Sequence, residues 1–340
     1  MSLGVIEMSD VPVSMDSEVV DHLAKVFFPF THREAARVYS AGQSGKFAHY
    51  TSAETALKII GEKRIWMRNT TCMADYREVL HGHDMLIACF NNGSRDKFRA
   101  ALDECRNGVA DDAISLFDKN WHDTRLNTFV ACVSEHDEKT EDHCGRLSMW
   151  RAFAPNTTRV ALIFSIPGDS QAARKLSLTF APVAYFSQAK MQEQLDEVIA
   201  NIHAERKFIS EVSVELLRGL IFTTLLASHV SVKHEGFHEE REWRAIYGPL
   251  RWPSEIMIRL MSIKAPSGVP QRIYEIPLDV AVDADLAELD FARIFHRLII
   301  GPSPYGTAME DAFIRELQRA GVDDAHQRVI RSDIPIRSLM

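Results

Sequence analysis

The chain has 340 residues, 46% hydrophobic and 25% charged, a globular composition long enough for one large domain or two modest ones, which excludes global disorder. A formal net charge of -8 and a pI near 6.0 argue against non-specific coating of DNA, while leaving room for a local basic groove and small anionic ligands. Cys72, Cys89, Cys105, Cys132 and Cys144 are odd in number and widely spread, which fits reduced thiols in a cytoplasm better than a disulfide framework. Met1 to Asp10 carries two acids and no basic start, so it does not read as a signal peptide. The longest apolar stretch, Gly219 to Val230, is far short of the roughly 20 residues a membrane span needs, so no membrane is expected.

Residues 1–45 lack steady periodicity and end in the turn Ala41-Gly42-Gln43-Ser44-Gly45, so they read as an accessory arm ahead of a single domain over 46–340. Phe47 to Thr51 reads as a strand. Ser52 then caps a helix with Ala53, Ala56, Leu57 and Ile60 on one apolar face and Gly61 at its end. Arg64 to Arg68 is extended, Asp75 to Phe90 and Arg95 to Trp121 are helical, and Asn127 to Ser134 is a buried strand. A charged loop from Glu135 to Arg146 precedes a short helix over Met149 to Ala154 and a strand over Arg159 to Ile166. One or two strands follow within Leu176 to Phe186, with Pro182 marking a bend or edge. Met191, Leu195, Val198, Ile199 and Ile202 recur at helical spacing, and Val212, Leu216, Leu217 and Leu220 continue it, giving a helical insertion over about 188–230. Ile273 to Leu278, Arg297 to Gly301 and His326 to Ile330 read as strands, and Ala308 to Ala320 as a helix. Strand and helix blocks mix without strict alternation, which favours α+β over a doubly wound sheet.

Within Phe237 to Tyr247, Glu240, Glu242 and Arg244 stand at every second position of a segment that otherwise reads as a half-buried strand. Residues two apart share a face, so the two carboxylates and the guanidinium are expected together, with Trp243 and Ala245 facing the other way. The competing reading is an edge strand with a solvated outer face. His136, Asp137, Asp142, His143 and Cys144 cluster in one loop and His81-Gly82-His83-Asp84 offers further ligand types, the basis of a metal-dependent hydrolase reading. Neither has established ligand spacing, so no metal is expected.

Three segments together resemble a bacterial family of uncharacterised proteins, domain of unknown function family twenty-nine seventy-one. The first runs from Ala48-His49-Tyr50-Thr51-Ser52 through Trp66 to Met73, Ala74, Asp75 and Glu78, where Ala74 departs from the family's usual Asn. The second joins Phe129 to Ser134 with Ser148 to Ala154 and Val160 to Phe164. The third holds Lys233, Glu240, Glu242, Trp243 and Arg244, with Leu298 to Pro302 and Ser332 to Arg337 in the tail. The opening strand and helix are also similar to the start of ADP-ribosyltransferase-like domains. That resemblance implies mixed or antiparallel sheets with flanking helices, and nicotinamide dinucleotide (NAD) as substrate. It also implies a strand histidine, His49, facing a late-strand carboxylate, Glu242 or Glu240, across a cleft. An oxocarbenium-like state is stabilised by a nearby carboxylate, and an imidazole bonds ribose hydroxyls. Tyr50, Trp66, Arg151 and Arg244 are the residues expected to bind the cofactor, Arg151 at the pyrophosphate and Arg244 orienting the carboxylates. The superfamily's middle-strand Tyr or Ser has only Trp66, Tyr185 and Ser177 as candidates. The acceptor, protein or nucleic acid, is open. So is a non-catalytic nucleotide- or partner-binding module, since fold does not fix function. His49 also reads as an ordinary strand histidine, Trp150 as core, and Asp75 with Glu78 as a helix cap.

Overall fold

The computed structural model describes residues 17–40, 44–73, 76–152 and 158–335. Ala74 and Asp75 of the expected turn, Phe153 and Ala154 of the short helix, Ile336 and Arg337 of the tail, and the side chain of Glu78 lie outside the described residues. In chain order the strands are β1 (Gly45–Ser52), β2 (Arg64–Asn69), β3 (Phe129–Glu135), β4 (Arg159–Ile166), β5 (Thr179–Pro182) and β6 (Ala184–Phe186). They continue as β7 (Val232–His234), β8 (Glu242–Tyr247), β9 (Ser262–Lys264), β10 (Gln271–Pro277), β11 (Phe295–Ile300) and β12 (Val329–Arg331). With the helices between them they make a mixed α+β protein. Its chain divides into two compact units, one of Met1–Glu34, Met73–Asn127 and Ala184–Gly236, the other of Ala35–Cys72, Thr128–Val183 and Phe237–Met340.

The first unit is mainly helical, with β6 and β7 as a short parallel pair. Met191, Leu195, Val198, Ile199 and Ile202 are buried along the helix Gln188–Ala204, as their spacing predicts, and Ser187 caps it by accepting from the Lys190 N–H. The helix expected from Arg95 to Trp121 is two helices, Arg95–Asp103 and Val109–Leu126, because Gly108 takes a left-handed φ of +80° between them. The arm also holds structure that its weak pattern concealed: Ser17–Phe27 is a helix whose Leu23, Val26 and Phe27 are buried.

The second unit is built on one sheet in the order β12-β11-β4-β1-β3-β2-β10-β9, with β8 paired to both β3 and β5. All its pairings are antiparallel except β11 with β12. One sheet face is apolar. There Ile65, Met67, Phe129, Ala131, Val160, Leu162, Phe164, Tyr274 and Ile276 pack with the helices Ala53–Glu62, Glu255–Arg259 and Gly306–Arg319. Ser52 caps the first of these by accepting from the Thr55 N–H, as expected, but the helix runs past Gly61 and ends at Lys63, whose φ is +49°. The opposite face has an apolar cluster at one end, of Ala48, Tyr50, Met149, Trp150, Ala161, Ile163 and Ile299, and beyond it mixes charged residues with buried Val130, Ile246 and Ile273.

Candidate functional site

Strand register decides which expected site residues can meet. Across β1 and β4, His49 stands opposite Leu162 and Tyr50 opposite Ala161; across β1 and β3, Ala48 stands opposite Ser134. Across β3 and β8, Ser134 is opposite Glu242 and Cys132 opposite Arg244, and across β2 and β3, Arg68 is opposite Val130. Directly opposed residues share a face and alternate residues return to it. Tyr50, Trp66, Glu242 and Arg244 therefore stand on one face of the sheet. His49 stands on the other, with Leu162 and the apolar core, so the strands do not bring its imidazole to the face that carries Glu242.

His49 has a different partner. β8 occupies one edge of β3 along its length, while on the other edge β1 pairs only at Ser134 and Glu135 and β2 only at Phe129 and Val130. The strands fork between those points, and His49 Nδ1 lies 3.0 Å from the Cys132 carbonyl oxygen inside the fork. A carbonyl only accepts, so the proton is on Nδ1. Burial pushes the imidazole's pKa below its ordinary value, opposed by that hydrogen bond, and the ring is neutral at pH 7.

Glu240 does not belong to the strand. It ends a 3-10 turn over Glu235–Glu240, and Arg241 behind it has a φ of +42°. The left-handed residue breaks the two-residue alternation, so Glu240 does not share a face with Glu242 and Arg244 as the pattern alone predicts. The turn is held by Arg146. Its Nη1 donates to the carbonyls of Glu239 (2.8 Å) and Glu240 (3.1 Å) and to Ser134 Oγ (2.6 Å), its Nη2 to the Glu135 carbonyl (2.6 Å), and its Nε to Glu141 Oε1 (2.8 Å). The Arg146 backbone N–H donates to the Tyr50 hydroxyl at 2.9 Å. Tyr50 is buried edge-on against Trp150, and burial raises its pKa to about 12.

Glu242 and Arg244 are both buried, at 7% and 2% exposure. Arg244 Nε donates to Glu242 Oε1 at 2.7 Å and Nη2 to Oε2 at 3.2 Å, a two-point pair between residues two apart on one strand. Trp243 points the other way, into Tyr39, Phe47 and Phe180. Arg151 is exposed on the helix Leu147–Ala152. Tyr185 lies on β6 in the first unit, and Ser177, with φ +54°, lies in the turn before β5.

Toward β9 the same sheet face carries charged and polar residues around the buried Ile273. Arg64, Trp66 and Arg68 alternate along β2, and Gln271 and Glu275 along β10. Glu275 is 4% exposed; its Oε2 accepts from Arg64 Nη1 at 2.7 Å and its Oε1 from Ser262 Oγ at 3.2 Å, with Lys264 Nζ 3.9 Å away. Lys264 lies 5.7 Å over the Trp66 ring. A cleft of about 460 Å³ opens here, lined by Glu62, Arg64, Arg259, Leu260, Met261, Ser262, Lys264 and Glu275. Of these the sequence reading singled out none, although the alternation of Arg64, Trp66 and Arg68 with Ile65 and Met67 carried the signal of a strand with one charged face.

The loop offered to a metal is committed elsewhere. His136 has no exposed side-chain surface and its Nε2 is 3.3 Å from Asp142 Oδ1, while Asp142 pairs with Arg297 and Glu141 with Arg146. His83 Nδ1 meets His229 Nε2 at 2.6 Å in the first unit. Among the described residues no group of three or more His, Cys, Asp or Glu is arranged to hold a metal ion, and no helix is long and apolar enough to cross a membrane.

Residues 149–245 match the family model described as Protein of unknown function (DUF2971). This is the family that the sequence motifs resemble. The matched segment runs from Met149 and Trp150 through β4 to β8, and so includes Glu242 and Arg244. No curated protein and no solved structure matches the chain.

Proposed function

We propose that this chain is a binding module for a nucleotide of the NAD class, taken up against the polar face of the second unit's sheet without transfer of ADP-ribose. One observation carries the reading: strand register gathers Tyr50, Trp66, Glu242 and Arg244 on one face, where charge is buried, and turns His49 away from it. A carboxylate already neutralised by a two-point guanidinium contact offers less field to a developing oxocarbenium than a free one. Five cysteines, none in a disulfide, fit the reducing compartment, the bacterial cytoplasm, in which we place it. The test is thermal stabilisation by NAD and by ADP-ribose, measured alongside nicotinamide release. Both ligands raise Tm and no nicotinamide appears; no shift with either ligand ends the proposal.

ADP-ribose transfer to a protein or nucleic-acid acceptor is the second reading, favoured by Glu242 and Arg244 sharing their face with Tyr50 and Trp66. It requires nicotinamide release that disappears in Glu242→Gln at equal folded fraction and persists in His49→Ala.

A further inference from the structure

The cleft beside β9 combines features that packing alone does not call for. It sets three cations, Arg64, Arg259 and Lys264, around one buried carboxylate, and is large enough to take a whole small molecule. Glu275 organises the wall. By accepting from Arg64 and Ser262 it fixes both side chains, and with Lys264 3.9 Å away it is near a third donor that it does not fully satisfy. Arg64 and Lys264 keep 35% and 41% of their side-chain surface exposed, so each retains donors for a ligand after meeting Glu275. Among the described residues Arg259 makes no salt bridge; it is exposed, and only its longer-range field reaches Asp283. Three cations against Glu62 and Glu275 leave the lining with an excess of one positive charge.

We infer that this cleft is an anion subsite for a pyrophosphate group, as found in nucleoside diphosphates and dinucleotides, with Arg259 and Lys264 as its principal contacts and Arg64 held behind them by Glu275. Two arginines and a lysine suit a multiply charged phosphate: guanidinium offers paired donors to two oxygens and ammonium a compact charge. Since Lys264 covers the Trp66 ring, the ring supports that cation rather than a stacked base. The ligand class rests on the nucleotide reading above, whereas the anion site rests on the cleft alone.

Calorimetric titration of the full chain with inorganic pyrophosphate, ADP-ribose and NAD separates the two. Arg259→Ala and Arg259→Ala/Lys264→Ala are the variants, because neither removes Arg64, the partner that buried Glu275 needs. Pyrophosphate binds the wild type, each lost cation weakens it roughly tenfold, and added salt weakens it further. Absence of pyrophosphate binding, or equal binding by the double variant, overturns the subsite. Pyrophosphate binding that depends on Arg259, with ADP-ribose and NAD failing to bind, keeps the subsite and removes the nucleotide reading. NAD binding untouched by the double variant does the reverse.

Discussion

Glu242→Gln is the obvious probe of catalysis, and the structure says it is first a probe of folding. The carboxylate is 8% exposed and the guanidinium of Arg244 3%, and two hydrogen bonds join them. Breaking a buried ion pair by removing one member costs about 3 to 5 kcal/mol. Glutamine keeps one carbonyl oxygen for Arg244 Nε, so the low end, about 3 kcal/mol, is expected. Against a total stability of roughly 5 to 15 kcal/mol, that loss lowers the folded fraction wherever the margin is small.

The assay is a double-mutant cycle by urea unfolding at pH 7, comparing wild type, Glu242→Gln, Arg244→Met and the double variant. Each single change destabilises. The double is less damaging than their sum, with a coupling of about 1 to 3 kcal/mol, because the contact between the two side chains is already lost in either single variant. Refutation is simple: Glu242→Gln within about 0.5 kcal/mol of wild type, or strict additivity, would mean that the pair is not the buried, mutually dependent contact described. Any loss of ligand binding in Glu242→Gln is interpretable only beside this cycle.

His229 gives a pH dependence of known sign. It is 1% exposed, and burial, opposed by the Leu225 carbonyl and aided by His83, pushes its pKa down to about 3. The unfolded chain takes up this proton below about pH 6.5 and the native chain does not, so stability is full above that pH and is lost as pH falls toward 3. The advantage of wild type over His229→Phe in urea unfolding shrinks by about 2 kcal/mol between pH 7 and pH 5. Gly82→Ala would set a Cβ 2.0 Å from the Ser228 carbonyl, where the helices Tyr76–Cys89 and Val214–Val230 meet backbone to backbone; a thermal melt should show a loss of roughly 1 to 3 kcal/mol or more. His49→Ala removes the hydrogen bond to the Cys132 carbonyl and costs about 0.5 to 1.5 kcal/mol in urea unfolding, partly recovered by His49→Asn.

Much of the fold was legible because local rules act alone. Ser52 caps the helix that follows it, as expected, and β4 was readable at both ends. The errors sit where one backbone angle overrides a pattern. Gly108 splits an expected helix with an angle that its residue type permits, whereas Arg241 ends the alternation that linked Glu240 to Glu242 with an angle not visible in residue type, since arginine rarely takes a positive φ. The site was less legible than the fold, because a face depends on register between distant strands. That His49 and Tyr50 look to opposite sides follows from their adjacency, yet which of them would share Glu242's side could be known only once Ala48 was paired with Ser134 and Ser134 with Glu242.

The same register explains why a histidine stands at the head of this sheet at all. Where β1 leaves β3 and β2 has not yet joined it, the half-buried Cys132 presents its carbonyl within the fork, 3.0 Å from His49 Nδ1. An aliphatic residue at position 49 would fill the space beside Leu162 without bonding that oxygen. A neutral imidazole does both, presenting Nδ1–H to the carbonyl and a flat ring to the apolar face, and its depressed pKa is the electrostatic consequence of that setting. The residue type that suggests ribose recognition is thus accounted for by the fork itself, which moves the search for the ligand to the charged face that carries Arg244 and to the cleft beside β9.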